Sequence, residues 1–571
     1  RTRERLYISF AASAAMVAGC FALVPFFGGE GAAATRILVF VLMCILMLRI
    51  LRFGNEMHGL YLSLAKVTLA SIACGAAAAG VLVLDSGPVG LLLAIFAGAV
   101  VYIPALKVFR AVPDIDADVL RSMKERLPGR AASIAGKVID WVCPPVAAMS
   151  PEALPASATP AVEGAGRSAA IPVVFSGTVG HFEPEDEGVE AKDTAVLLLS
   201  PWGYDELCLR KSYRILAERF AARGIPSLRF DYPGTGDAVD ETDFSTGLAV
   251  WEQAVLDAAE QLRALSHRRK IILVGQGIGA TLAHRLAGRV GDVSAIAMLA
   301  PVLSGRSYLR EVAFRAKFIY EDLGLKDAQR DLEGVSVAGL RMPDEVAADI
   351  RKIVISGPQT PGAPHYLVME RAVKIGDTEF VDALTAGGAE ARQQEYVGYE
   401  ALMTMPLTAI EPMEVIETLV DWAGALLEPA AEGVTSDRYR ADQELVGRGY
   451  VERPVRFGTA DHLTGVVCLP DHGQARGASV LLLSTAYDRH SGWGGTTAST
   501  AREMARQGIV SLRYDSANVA DSPPGPHTPE RVLYTTEQDA DAIAALDTLE
   551  RHRPGPMMVA GRCSGGYVAF R

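Results

Sequence analysis

Cys563 holds the position in this chain where a nucleophile is expected. It lies in Ala560-Gly-Arg-Cys-Ser-Gly-Gly566, after the apolar run Met557-Met-Val-Ala560 and before a helix-like segment. A strand, a glycine-rich turn and a helix lift the central side chain clear of a sheet's end. A thiol held there and deprotonated by a base can attack an ester or thioester carbonyl and carry the acyl group. The backbone N–H of Ser564 supplies one oxyanion donor. The loop Thr485-Ala486-Tyr487, after the apolar strand 480–483, is expected to supply the second. Two readings compete with this one. Ser564 could be the nucleophile by a one-residue shift, or Cys563 could be a small buried apolar residue and no more.

A second segment has the same shape and lacks the side chain. In Val274-Gly-Gln-Gly-Ile-Gly-Ala280 the central position is Gly277, again between an apolar strand and a helix. The segment Met405-Pro-Leu-Thr-Ala-Ile410 before the closing helix at 413–427 carries no histidine where the fold would place one, and His365 in Pro-Gly-Ala-Pro-His365, the downstream candidate, reads as a loop residue. This elbow is therefore expected to be degenerate. The match to G-x-G-x-x-A is a weak nucleotide signal: the strand comes late in its domain, and no acidic residue ends the next strand to hold a ribose. In the other segment His462, His472, His490, His527 and His552 all precede Cys563. Triad partners follow the nucleophile in chain order, so the base is expected beyond Arg571 and the chain reads as a fragment. His490 lines the substrate mouth on one reading and a surface loop on the other.

The elements around these two turns repeat. Ala195–Ser200 matches Ser479–Ser484, and RGIPSLRFDYPGTGDA (223–238) matches QGIVSLRYDSANVADS (507–522). Strand-like and helix-like runs alternate, which implies α/β units around a mostly parallel sheet. One plan is used twice, at 171–428 and 445–571, joined by a linker at 429–444, with the second copy incomplete at its carboxyl end. The Gly-x-Cys-Ser-Gly turn and the Ser-Leu-Arg-x-Asp strand resemble the α/β-hydrolase superfamily, in the form associated with bacterial exopolysaccharide and exosortase systems. That resemblance implies ester or acyl-transfer chemistry, with an acylated sugar or a lipid-linked oligosaccharide as partner.

Upstream, four apolar segments at 7–27, 31–51, 60–84 and 89–109 each approach the ~20 residues that a membrane-crossing helix needs. Arg1, Arg3, Arg5, Arg49, Arg52, Lys107 and Arg110 mark one side as cytoplasmic. Residues 1–112 are thus expected to form a four-helix transmembrane region, similar to the last helices of a polysaccharide flippase. Juxtamembrane helices at 113–142 and a Pro/Ala-rich linker at 143–170 would follow. The expected fold class is all-α transmembrane helices followed by two α/β-hydrolase-like domains, set in a bacterial inner membrane with the α/β domains cytoplasmic. The lipid bilayer is then a partner. A transporter with non-catalytic scaffold domains is the rival function. The net charge of −12 argues against nucleic acid. Seven scattered cysteines form no Cys-x-x-Cys pair, and Asp114, Asp116 and Asp118 imitate a calcium loop with Val119 where glycine is required. No metal or cofactor is expected.

Overall fold

The computed structural model describes residues 170–571 apart from a few short stretches, together with 87–108 and some positions between 71 and 83. The chain divides into two units, Arg1–Ala161 and Val162–Arg571. Of the four expected spans, the first two and most of the third lie outside the described residues, as do 113–142 and 143–169. The fourth forms the helix Pro88–Val108, with Pro104 inside it. Proline removes a helix hydrogen bond and breaks or kinks the run. Among the described residues no helix is long and apolar enough to cross a membrane. This corrects the expected all-α transmembrane region, and with it the inner-membrane placement.

Among the described residues the second unit holds two large sheets and a two-stranded ribbon. The first contains β1 (Ile171–Phe175), β2 (Thr178–Glu183), β3 (Thr194–Leu199), β4 (Ser227–Phe230), β5 (Lys270–Gln276), β6 (Val293–Leu299), β9 (His365–Glu370) and β10 (Glu390–Glu395). Their order is β1-β2-β4-β3-β5-β6-β9-β10. β7 (Val335–Val337) and β8 (Leu340–Met342) form a separate ribbon. Ser176 and Gly177, both at positive φ, make the two-residue turn of the β1–β2 hairpin. β2 meets β4 antiparallel, and every later pairing is parallel. β3 is buried along its whole length and β5 in all but its first residue. Such strands are covered on both faces, which is why they read as continuous apolar runs. Helices Tyr204–Ala221, Ala249–Ser266 and Ile278–Val290 flank the sheet, with Trp251 and Phe220 fully buried.

The second sheet repeats the plan. Its strands are β11 (Leu445–Gly447), β12 (Tyr450–Phe457), β13 (Leu463–Leu469), β14 (Ser479–Leu483), β15 (Ser511–Tyr514) and β16 (Met557–Gly561), in the order β11-β12-β13-β15-β14-β16. From β12 onward this is the sequence β1-β2-β4-β3-β5 of the first sheet, with the same antiparallel start and the same parallel pairings. β16 thus corresponds to β5, and each of these two strands ends in a glycine-rich turn.

Candidate active sites

Both turns have the geometry of a nucleophile elbow. Gly277 has φ 58° and ψ −121°, and Cys563 has φ 55° and ψ −121°. For cysteine this is a strained conformation of the kind that persists at active sites when the surroundings over-determine it. The surroundings are glycines. A Cβ on Gly275 would run into the backbone of Gly279, and one on Gly279 into the Leu199 carbonyl oxygen. In the second copy a Cβ on Gly561 would meet Gly565, and one on Gly565 the Ser484 carbonyl oxygen at 2.7 Å. The strand before and the helix after can only close this tightly without side chains at these positions.

Around Cys563 the expected residues come together. The thiol is exposed. Ser564 is fully buried, and its Oγ accepts a hydrogen bond from the Ala486 N–H at 2.7 Å. Ser564 therefore holds the loop and does not present a nucleophile. The same bond occupies the Ala486 N–H that was expected in the oxyanion hole. Thr485 Oγ1 donates to the Arg562 carbonyl at 3.1 Å, tying the loop down on its other side. Tyr487 packs against Val519, Ala520 and Val532. The Tyr534 hydroxyl meets the thiol, whose proximity raises the tyrosine pKa. Burial lifts the Asp488 carboxyl to about 6, against the pull of Arg562 beside it.

The histidines are elsewhere. His462 bonds Thr459 and lies 3.7 Å from Asp541, three strands from β16, or about 14 Å at the usual strand spacing. His472 is exposed beside Asp471, and His552 ends the helix that leads into the amino end of β16. His527 lies outside the described residues. His490 lines no mouth. It is 1 % exposed, with Nε2 2.7 Å from Asp237 Oδ2 and Nδ1 3.0 Å from Asp515 Oδ1. Burial opposes its charge, but the two aspartates outweigh burial and raise its pKa to about 9.

The elbow of the first copy opens on a cavity of about 470 Å³. Gly277 lines it, and the loops after β9 and β10 reach it with Arg371 and Tyr399. These two stand where a triad's acid and base would have to approach. His365 begins β9 at the opposite end of the sheet, beside Glu390. Behind the elbow, Tyr396 Oη donates to Gln276 Oε1 at 2.8 Å. Among the described residues no group of His, Cys, Asp or Glu side chains is placed to hold a metal ion.

One cluster escaped the sequence reading. The Ser-Leu-Arg-x-Asp strands bring Arg229, Asp231, Arg513 and Asp515 into a buried ionic seam between the copies. Arg229 Nε bonds Asp521 at 3.1 Å, and Arg513 Nη2 bonds Asp237 at 3.0 Å. Arg489 spans Asp231 and Asp237, each at 2.7 Å, while Arg210 joins Asp231 to Asp521. The repeat pointed to these residues, but their charge gave no sign that they meet across copies.

The two sheets share one strand order and each carries an elbow turn, an arrangement consistent with α/β-hydrolase domains. The solved structures that this chain resembles are α/β-hydrolase fold proteins. They include an esterase of Pyrococcus furiosus (13% identity, 44% of this chain and 90% of that one, TM-score 0.30). A carboxyl esterase of Bacillus coagulans in complex with glycerol is similar at 10% identity over 45% of this chain and 99% of its own, TM-score 0.33. A lidless α/β serine hydrolase of Xanthomonas campestris follows at 13%, 46%, 97% and 0.29. No family model matches this sequence, and no curated protein matches it. The exopolysaccharide-type and flippase-like resemblances find no counterpart in these comparisons.

Proposed function

We propose that the second copy is a cysteine-dependent acyl hydrolase or acyltransferase and that the first copy is catalytically silent. The observation that carries this is an exposed thiol on a strained elbow whose backbone angles match those of Gly277. The Cys563 thiolate attacks the carbonyl carbon of an ester or thioester. A C–S bond forms, and the C–O or C–S bond to the leaving alcohol or thiol breaks as that group takes a proton. Water or an acceptor hydroxyl then cleaves the acyl-enzyme and returns the thiol. The Ser564 N–H, first of the helix Ser564–Phe570, donates to the developing oxyanion. The sequence resemblance makes an acylated saccharide the substrate class to try first.

The second reading, a pair of non-catalytic binding domains, is favoured by the hydrogen bond that occupies the Ala486 N–H. Incubation with p-nitrophenyl butyrate separates the two. Catalysis predicts nitrophenolate release together with one butyryl group on the peptide carrying Cys563, both lost in Cys563→Ala. Equal release by wild type and Cys563→Ala would leave only the binding reading.

A further inference from the structure

The cavity over Gly277 is a partly open site with no nucleophile at its elbow, and its lining specifies a ligand. Part of its wall is apolar: Val302, Leu303, Val312, Val337, Ile355 and Phe380 all face it. Its volume of about 470 Å³ is within the usual range of small-molecule sites. Its charges are internally matched. Arg315 pairs with Asp205, and Arg371 with Glu311 at 3.0 Å. Glu379 adds a further carboxylate at the lining, so three acids face two guanidinium groups. A ligand acid would have to displace Asp205 or Glu311 from its guanidinium partner and would meet the remaining carboxylates as like charges.

At the floor, a Cβ on Gly277 would meet only Pro201 Cβ, at 3.3 Å. The space that a nucleophile's side chain would fill is therefore open to a ligand. The helix Ile278–Val290 begins at that point, and its leading N–H groups have no intrahelical acceptors. Tyr399 supplies a hydroxyl with Arg371 5.2 Å above its ring. Burial and the nearby Asp205 push that phenol up to about 12, so it remains a hydrogen-bond donor.

We propose that the first copy is a receptor site for an uncharged carbonyl compound with an apolar chain, an ester that it holds and does not cleave. The carbonyl oxygen lies over the helix start at Gly277 and the chain runs along Val312 and Phe380. The site is independent of the chemistry assigned to Cys563, and both copies can be loaded at once.

Calorimetric titration with butyrophenone, a neutral ketone that no thiol can hydrolyse, tests this on the full chain. The expected result is one saturable site that persists in Cys563→Ala and is weakened about tenfold or more by Val312→Trp, with sodium butyrate at least about tenfold weaker than the ketone. Ser307→Phe fills the same cavity from a half-exposed position and serves if Val312→Trp fails to fold. No saturable ketone binding, butyrate binding as tight as the ketone, or binding unchanged when the cavity is filled would each overturn the proposal. Ketone binding lost in Cys563→Ala and retained in Ser307→Phe would place the site in the second copy instead. A chain that is inactive on p-nitrophenyl butyrate but binds the ketone as described retires the catalytic reading and leaves this one standing.

Discussion

A side chain at position 277 has room, whereas one at 279 has none. Serine at 277 would meet only Pro201, but it must adopt a φ of 58°, at a cost of about 1–3 kcal/mol for a residue other than glycine. Alanine at 279 would press on the Leu199 and Ser200 carbonyl oxygens, which belong to the sheet's backbone and cannot move aside. Urea denaturation should therefore rank Gly279→Ala well below Gly277→Ser in stability; the reverse order would mean that the elbow is not built as described. Gly277→Ser should also gain no esterase activity, because Arg371 and Tyr399 stand at the ends of β9 and β10. For the second copy, Asp488 is the carboxyl that meets the elbow loop. If it takes the thiol's proton, the acylation rate rises with pH through about 6, as that carboxyl ionises. Asp488→Asn should then slow acylation by ~10²-fold and flatten that limb. An unchanged limb in the variant would exclude Asp488 as base.

At the scale of elements, β4 and β15 do more than fill their sheets. Arg229 and Arg513 occupy equivalent places on them, and each reaches an aspartate of the other copy, Asp521 and Asp237. All four side chains are buried. Removing one member strands its partners' charge, so Asp237→Asn should cost about 3–5 kcal/mol in chemical denaturation. A loss below about 1 kcal/mol, the level of an exposed pair, would refute a buried seam. This seam also shows where sequence reading stops. The elbows were legible because their demand for glycine is local: strand end, turn and helix start lie within a few residues. The parallel strands were legible because burial on both faces leaves continuous apolar runs. Arginine and aspartate inside Ser-Leu-Arg-x-Asp were visible as a repeat, but what buries them is another sheet nearly 300 residues away. His490 belongs to the same class, since a histidine in a Gly-Trp-Gly-Gly loop reads as surface until Asp237 closes over it. The fourth apolar segment was legible as a helix, and Pro88–Val108 is one.

In the whole molecule the two copies meet as protomers of a symmetric dimer do. Arg229 with Asp521 and Arg513 with Asp237 are one contact made twice with the roles exchanged, the mark of an isologous interface, here within a single chain. His490 sits in this seam with Asp237 and Asp515 on either side and Arg489 and Arg513 beside Asp237. Its pKa rises from 6.5 to about 9 on folding, so the folded state retains a proton that the unfolded chain gives up first. The stabilisation is complete below pH ~6.5 and is lost as pH rises through about 9, at ~1.4 kcal/mol per pH unit between the two. Neighbouring groups leave this window clear. Glu183, raised to about 7 by burial, contributes its change below that pH, and His181, lowered to about 3 by burial, is neutral throughout. The buried Cys208 and Cys468 thiols, pushed up to about 12, weigh in only above their ordinary value of 9. Urea unfolding at pH 7 and at pH 9 should therefore differ by about 2 kcal/mol, and His490→Gln should remove most of that difference while lowering stability at pH 7. If wild type and His490→Gln lose stability in parallel over this range, the proton is held elsewhere and the seam does not depend on a charged histidine.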